Sequence, residues 1–112
     1  MTGPVTFINI FEVAHDKLAP FLEGWGERAE FMSIQPGFRS FRLHRALSPD
    51  SRFQLVNVAE WDSADALHAA TAQQYFQEST HRSVEDFGVT AHPAIYLVAV
   101  EVIADLRRPA GP

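Results

Sequence analysis

Two predicted strands of this chain are apolar on both faces, and this limits the folds open to it. The first run is Val5-Thr6-Phe7-Ile8-Asn9-Ile10-Phe11, and the second is Phe53-Gln54-Leu55-Val56-Asn57-Val58-Ala59-Glu60-Trp61. A strand with apolar residues on both faces must be covered on both sides. The fold must therefore place these strands inside a sheet, with other elements or another chain against each face.

The remaining segments follow a regular order of helices and strands. Apolar residues recur at helical spacing from Leu18 to Met32, with Asp16 as the expected N-cap, Pro20 in the first turn and Gln35-Pro36-Gly37 as the stop. Strands are predicted at about 4–13, 38–47, 52–61 and 94–103. A second helix is predicted to begin after Asp62-Ser63 and to continue irregularly to His81.

This order, strand–helix–strand–strand–helix–strand, predicts an α+β fold of the ferredoxin-like split βαβ type with a four-stranded antiparallel sheet. The chain of 112 residues is expected to form one domain, with a core from 4 to 103 and a tail from 104 to 112. Two helices cover only one face of such a sheet. A homodimer with its two sheets packed face to face is the simplest way to cover the other.

Asn9 and Asn57 interrupt these apolar runs. Alternation places each asparagine on the face that also carries Phe7 in the first strand and Trp61 in the third. A buried amide without hydrogen bonds costs about 1–3 kcal/mol. The two amides either bond to each other or to water, or bind a ligand, and we favour the ligand.

A helix with a continuous apolar face is expected to lie across this pair of asparagines. Its stripe includes Phe21, Leu22, Trp25 and Met32. A few polar groups inside an aromatic-lined cleft are typical of a site for a flat apolar ligand. Trp25 and Phe21 also suit an ordinary hydrophobic core.

Composition excludes several classes of function. The net charge of −5 argues against nucleic acid or an anionic membrane as a partner. No run approaches the ~20 apolar residues of a membrane span, so we expect a cytoplasmic protein. The absence of cysteine excludes disulfides and thiolate chemistry, and no histidine and carboxylate spacing predicts a metal site.

Three segments resemble the antibiotic biosynthesis monooxygenase family. They are Val5-Thr6-Phe7-Ile8-Asn9, Gln35-Pro36-Gly37-Phe38 and Val56-Asn57-Val58-Ala59-Glu60-Trp61-Asp62-Ser63, and the likeness extends from about residue 4 to residue 103. The resemblance implies a dimeric α/β barrel built from ferredoxin-like chains.

Within that family, the chain is most similar to cofactor-independent oxygenases that convert anthrone-type polyketides or quinols into quinones with dioxygen. The resemblance implies catalytic roles for Asn9, Asn57 and Trp61 and requires no cofactor. We also predict a set of residues that contact the substrate without a catalytic role: Phe7, Phe21, Leu22, Trp25, Leu67 and His81. Leu67 stands where some relatives have tyrosine, so the resemblance assigns no residue of that helix to proton transfer. His81 and His44 are possible bases.

Two alternatives stay open within the same fold. The first is a haem-binding or haem-degrading monooxygenase, for which His81 lies one or two positions from the expected iron ligand, while Ala70 stands where a tryptophan is expected. The second is a dimer that binds a small molecule without catalysis.

Overall fold

Four antiparallel strands form one sheet in the computed structural model, which describes residues 3–105. The strands are β1 (Val5–Glu12), β2 (Phe38–Arg45), β3 (Leu55–Trp61) and β4 (Thr90–Tyr96). Their order in the sheet is β2-β3-β1-β4, so the two strands with mixed apolar and amide residues are neighbours at its centre. This is the ferredoxin-like α+β architecture that the sequence predicts.

Each predicted helix is divided into two. The first region forms α1 (His15–Glu23) and α2 (Trp25–Ser33), and the second forms α3 (Ala64–Thr71) and α4 (Gln74–Phe87). Gly24 is both the C-cap of α1 and the N-cap of α2. Glycine disfavours an uninterrupted helix at this point. The apolar residues keep helical spacing across this break, so the sequence pattern predicts a single helix.

The predicted caps have different outcomes. Ser63 caps α3 as expected, because its Oγ accepts a hydrogen bond of 3.1 Å from the backbone N–H of Ala66. The prediction that Asp16 caps the first helix is wrong, since Ala14 is the N-cap and Asp16 lies in the first turn. Pro20 lies inside α1 rather than in its first turn.

The fourth strand begins and ends earlier than predicted. β4 covers Thr90–Tyr96, whereas the prediction was 94–103, and residues 97–105 have no regular secondary structure. Pro93 lies within β4, which is possible because β4 is an edge strand and one side of its backbone needs no partner. The predicted tail, residues 104–112, falls outside the described residues from position 106 onward.

The helices cover one face of the sheet and form two separate core clusters there. Phe11 of β1 belongs to the first cluster, with Leu18 and Phe21 of α1. Val5 of the same strand belongs to the second cluster, with Trp61 and Leu67. The middle of β1 therefore lies between two well-packed regions, and Asn9 lies in this middle.

Candidate active site

Asn9 and Asn57 face each other across the two central strands. Their Cα atoms are register partners in the antiparallel pairing of β1 and β3. The Oδ1 atoms of both side chains are buried and have no hydrogen-bond partner among the described residues. A hydrogen bond between the two amides would engage one of these oxygens, so the side chains are adjacent but not bonded to each other.

Two adjoining hollows with shared wall residues lie between the sheet and the helices, and together we call them the amide cavity. Asn9 lines both hollows, and Asn57 lines the smaller one. Its larger part has a volume of about 330 Å³ and lies against β1, β4, α3 and α4, and its smaller part of about 40 Å³ lies against β1, β2, β3 and α2. A larger part of this size falls at the lower end of the range for small-molecule sites. The residues that line both parts are Phe7, Asn9, Phe11, Arg28 and Phe76.

Two unpaired hydrogen-bond donors share this cavity with the amide oxygens. The indole Nε1 of Trp25 and the guanidinium Nε of Arg28 are both buried without a partner in residues 3–105. The two residues are one helical turn apart on α2, at spacing i and i+3. The cavity therefore has two unpaired acceptors on the sheet and two unpaired donors on the helix.

Arg28 is held between two aromatic rings. Its Cζ lies 5.4 Å from the ring centroid of Trp25 and 5.2 Å from that of Phe76. Its Nη2 donates a hydrogen bond of 3.2 Å to Oγ1 of Thr80. Burial lowers the pKa of Arg28 below its ordinary value, Tyr75 partly offsets this by raising the pKa, and the nearby charge of Arg82 lowers it further. Arginine stays protonated in proteins, so the cavity contains a fixed positive charge.

The structure brings most of the predicted site residues to the amide cavity. Phe7 and Leu67 line its larger part, and Trp25 and Asn57 line its smaller part. Trp61 also lines the smaller part, but it is only 1 % exposed and packs edge to face against Phe38 at a centroid distance of 5.3 Å. Its ring is therefore a fixed wall at one end.

Three predicted contact residues lie elsewhere. Phe21 is buried in the first core cluster, and Leu22 packs against that cluster. His81 is on the outer surface of α4, where its side chain is 73 % exposed and its Nε2 lies 2.9 Å from the carboxylate of Glu85. None of the three lines the amide cavity.

Sequence reasoning missed four contributors to the cavity wall. They are Arg28, Phe76 and Thr80, which meet between α2 and α4, and His68 of α3, which is exposed and lines the larger part. The available signal was the arginine three residues after Trp25, on the apolar stripe of a helix. A charged residue on such a stripe is almost never fully buried without a reason.

The described residues contain no cluster of three or more His, Cys, Asp or Glu side chains that could hold a metal ion. None of the helices within residues 3–105 has both the length and the apolar character that a membrane crossing requires.

Solved structures of similar chains are numerous. A candidate monooxygenase from Shewanella loihica PV-4 is 35 % identical, with a TM-score of 0.72 over 90 % of this chain and 99 % of that one. SnoaB, a cofactor-independent oxygenase from Streptomyces nogalater, is 27 % identical, with a TM-score of 0.73 over 89 % and 97 % of the two chains. A SnoaB variant in which alanine replaces one asparagine matches with a TM-score of 0.74, at 27 % identity over 88 % and 96 %.

Among proteins with curated descriptions, none matches this chain in sequence. The family model for antibiotic biosynthesis monooxygenases matches residues 4–82, which is more than half of the chain and includes both asparagines. This match agrees with the strand order of the sheet and with the position of Asn9 opposite Asn57. The chain belongs to the antibiotic biosynthesis monooxygenase family.

Proposed function

We propose that this protein is a cofactor-independent monooxygenase that oxidises a hydroxylated aromatic substrate, of the anthrone or quinol class, to a quinone. The observation that carries the proposal is the set of four buried, unpaired polar atoms on the walls of one aromatic cavity. Leaving such atoms unpaired costs about 1–3 kcal/mol each. This cost is removed when a ligand supplies the missing partners.

A flat phenolic molecule carries the hydrogen-bonding groups that these atoms lack. Its hydroxyl groups donate to the acceptors on Asn9 and Asn57, and its carbonyl or ionised oxygen accepts from the donors on Trp25 and Arg28. Aromatic side chains line the space between them and favour stacking or edge contacts with a planar ring. SnoaB, which has the same fold, is a cofactor-independent oxygenase, and this supports the same class of reaction here.

The proposed reaction balances without a metal or an organic cofactor. An anthrone loses a proton from its methylene carbon and becomes an electron-rich enolate. The enolate transfers one electron to dioxygen, and the two radicals combine to form a carbon–oxygen bond. The resulting peroxide loses the second methylene proton as its oxygen–oxygen bond breaks, which leaves a carbonyl. Anthrone and one dioxygen thus yield anthraquinone and one water.

The task of the protein in this reaction is electrostatic. Trp25 and Arg28 donate to the enolate oxygen, and the amide Nδ2 of Asn9 or Asn57 can add a donor there while the Oδ1 orients a neighbouring hydroxyl. The wall formed by buried Trp61 and half-buried Phe38 limits the access of water to this end of the cavity. Both effects stabilise charge that appears only as the proton leaves.

We propose His68 as the group that accepts the first proton. It lines the larger part of the cavity and is also exposed, so a proton taken from the substrate can pass to solvent. The free nitrogen of a neutral imidazole can accept a proton, as a general base requires. His81, which the sequence offers as a possible base, faces solvent outside the cavity.

Oxygen consumption with dithranol, a simple anthrone, tests the proposal. Wild-type protein should accelerate oxygen uptake and quinone absorbance over buffer, and Asn9→Ala and Asn57→Ala should each slow the reaction by about 10²–10³-fold. Lys17→Gln, on the exposed surface of α1, is the matched control and should retain the wild-type rate. Equal rates for wild-type protein and buffer would contradict the proposal for this substrate class.

The haem alternative has its own test. His68 is the histidine that lines the cavity and is therefore the side chain through which hemin would be ligated. If the proposed cofactor-free reaction is correct, adding hemin produces no shifted Soret band and leaves the oxidation rate unchanged. A shifted band that disappears in His68→Gln would favour haem binding instead.

We also propose that the protein acts as a homodimer that joins through the open faces of its sheets. Ile8 and Val58 are register partners on that face and are only partly buried in the single chain. The segment 97–105 adds further apolar side chains, among them Val100 at 83 % and Val102 at 87 % exposure. An apolar surface of this extent is typical of an interface.

A further inference from the structure

Arg28 is a buried cation without a counter-ion. It is 9 % exposed, and no carboxylate lies within ion-pair distance of it among residues 3–105. Its only hydrogen bond within these residues joins Nη2 to the neutral hydroxyl of Thr80. Buried charges in proteins are usually paired, because an isolated one loses its hydration without compensation. An anion from outside the chain would supply the missing partner.

The position of Arg28 makes it accessible to such an anion. It lines both parts of the amide cavity, and it also lines a separate cleft of about 190 Å³ formed by residues of α1, α2 and α4, which we call the outer cleft. The rings of Trp25 and Phe76 fix the guanidinium within this wall. The unpaired Nε of Arg28 and Nε1 of Trp25 then give two donors for one oxygen-bearing group.

We propose that Arg28, assisted by Trp25, is the anion-binding residue of the amide cavity and that the ligand carries an ionised oxygen attached to its aromatic ring system. This inference rests on the proposed function and narrows its substrate class from any hydroxylated aromatic to an anionic one. The oxygen has two possible sources with the same chemistry: a carboxylate substituent that is present throughout, or a ring oxygen that ionises in the site.

Binding of non-reacting quinones tests the inference apart from catalysis. The matched probes are anthraquinone-2-carboxylate and the neutral 2-methylanthraquinone, with dissociation constants measured by equilibrium dialysis. We expect wild-type protein to prefer the carboxylate by at least tenfold, and Arg28→Met to bind the two probes within about twofold of each other. Arg28→Lys, which retains the charge but not the planar fork, should keep part of the preference.

Arg82 provides the matched control. It is an exposed arginine that lines the outer cleft and not the amide cavity. We expect Arg82→Met to retain the full preference for the carboxylate. If Arg82→Met loses the preference as Arg28→Met does, the anion binds in the outer cleft and the inference is overturned. The same conclusion follows if folded Arg28→Met and Arg28→Lys both keep the wild-type preference.

A third probe, 1,8-dihydroxyanthraquinone, distinguishes the two sources of the anion. If the ring oxygen pairs with Arg28, its affinity rises with pH in wild-type protein and not in Arg28→Met. If only the carboxylate responds to the variant, the anion is a substituent. If neither probe responds to Arg28, the inference fails.

Oxygen uptake separates this inference from the proposed function. Arg28-dependent binding of anions without acceleration of dithranol oxidation would contradict the oxygenase and support the anion site. Acceleration of dithranol oxidation together with Arg28-independent binding of anions would support the oxygenase and contradict the anion site.

Discussion

Asn9 and Asn57 lie opposite each other in the two central strands, and neither side-chain oxygen has a hydrogen-bond partner in the described part of the chain. This relationship is unfavourable for folding alone, because two buried acceptors have lost water without gaining a donor. Gln54 shows the ordinary arrangement in the same protein. Its buried amide donates to the carbonyl oxygens of Ser48, Pro49 and Ser51 and thereby fixes the connection between β2 and β3.

The contrast between these amides gives the first prediction. Asn57→Leu, which has a similar shape without polar atoms, should keep or raise the free energy of unfolding, by up to about 1–3 kcal/mol, because it removes an unpaired acceptor. Oxygen uptake with dithranol should fall in the same variant. Urea denaturation measures the first effect.

Gln54→Leu is the control for this substitution. It removes a paired amide and leaves the carbonyl oxygens of Pro49 and Ser51 without this donor, while that of Ser48 still accepts from the backbone N–H of Ser51, so it should lower the free energy of unfolding by about 1–3 kcal/mol. Destabilisation of both variants to the same extent would show that Asn57 is a structural residue.

The adjacency of the two amides was predictable because strand geometry is periodic. Asn9 and Asn57 occupy equivalent positions in two alternating runs, and the split βαβ topology places those runs side by side. The strand register and the order of elements therefore follow from local pattern together with fold class. The cap at Ser63 is equally local, since it depends on a side chain and a backbone group three residues later.

Features that depend on contacts between distant segments were not predictable. Arg28 is buried because Trp25 on its own helix and Phe76 on α4 enclose it, and the second contact joins residues far apart in the chain. Pro93 reads as a strand breaker in sequence, and only the position of β4 at the sheet edge makes it compatible with a strand. The break in the first helical region at Gly24 was likewise not predictable, because the apolar residues keep helical spacing on both sides of it.

The second prediction concerns the turn before β2. Gly37 has φ of +85°, and a Cβ atom built there would lie 2.5 Å from the Cβ of Ala66 in α3. Gly37→Ala should therefore lower the free energy of unfolding by at least about 1–2 kcal/mol, because both the backbone conformation and the contact are unfavourable. Thermal unfolding followed by circular dichroism measures the change.

Gly26 is the matched control for this substitution, because it lies inside α2 and no atom comes within 4 Å of a Cβ built there. Gly26→Ala should stabilise the protein by about 0.5–1 kcal/mol through helix propensity. Ala66→Gly lowers stability by itself through helix propensity, so the effect of Gly37→Ala is measured again in that background. There Gly37→Ala should cost less than in wild-type protein but still destabilise, since the contact is relieved and the backbone strain is not. No destabilisation in that background would show that φ contributes nothing at this position.

The third prediction concerns proton transfer by His68. If its imidazole accepts the substrate proton, His68→Gln should reduce kcat by about 10²–10⁴-fold, because a glutamine amide cannot act as a base. The affinity for a non-reacting quinone should change little. His15→Gln, at the exposed start of α1, should retain the wild-type kcat. A wild-type kcat in folded His68→Gln would assign the proton transfer to another group.

The fourth prediction concerns assembly through the open face of the sheet. Ile8 and Val58 form a register pair at its centre, so a charge at this position would be buried between two sheets in the proposed dimer. Wild-type protein should have a sedimentation mass near twice 12.5 kDa at micromolar concentration, and Ile8→Glu should shift it toward 12.5 kDa. Ala19→Glu adds the same charge on the exposed surface of α1 and should leave the mass unchanged.

Because the amide cavity lies on the other side of the sheet, the quinone affinity of the Ile8→Glu monomer reports whether β1 keeps its shape without a partner. A wild-type mass of 12.5 kDa would refute the face-to-face dimer and would require another explanation for the apolar side chains of residues 97–105.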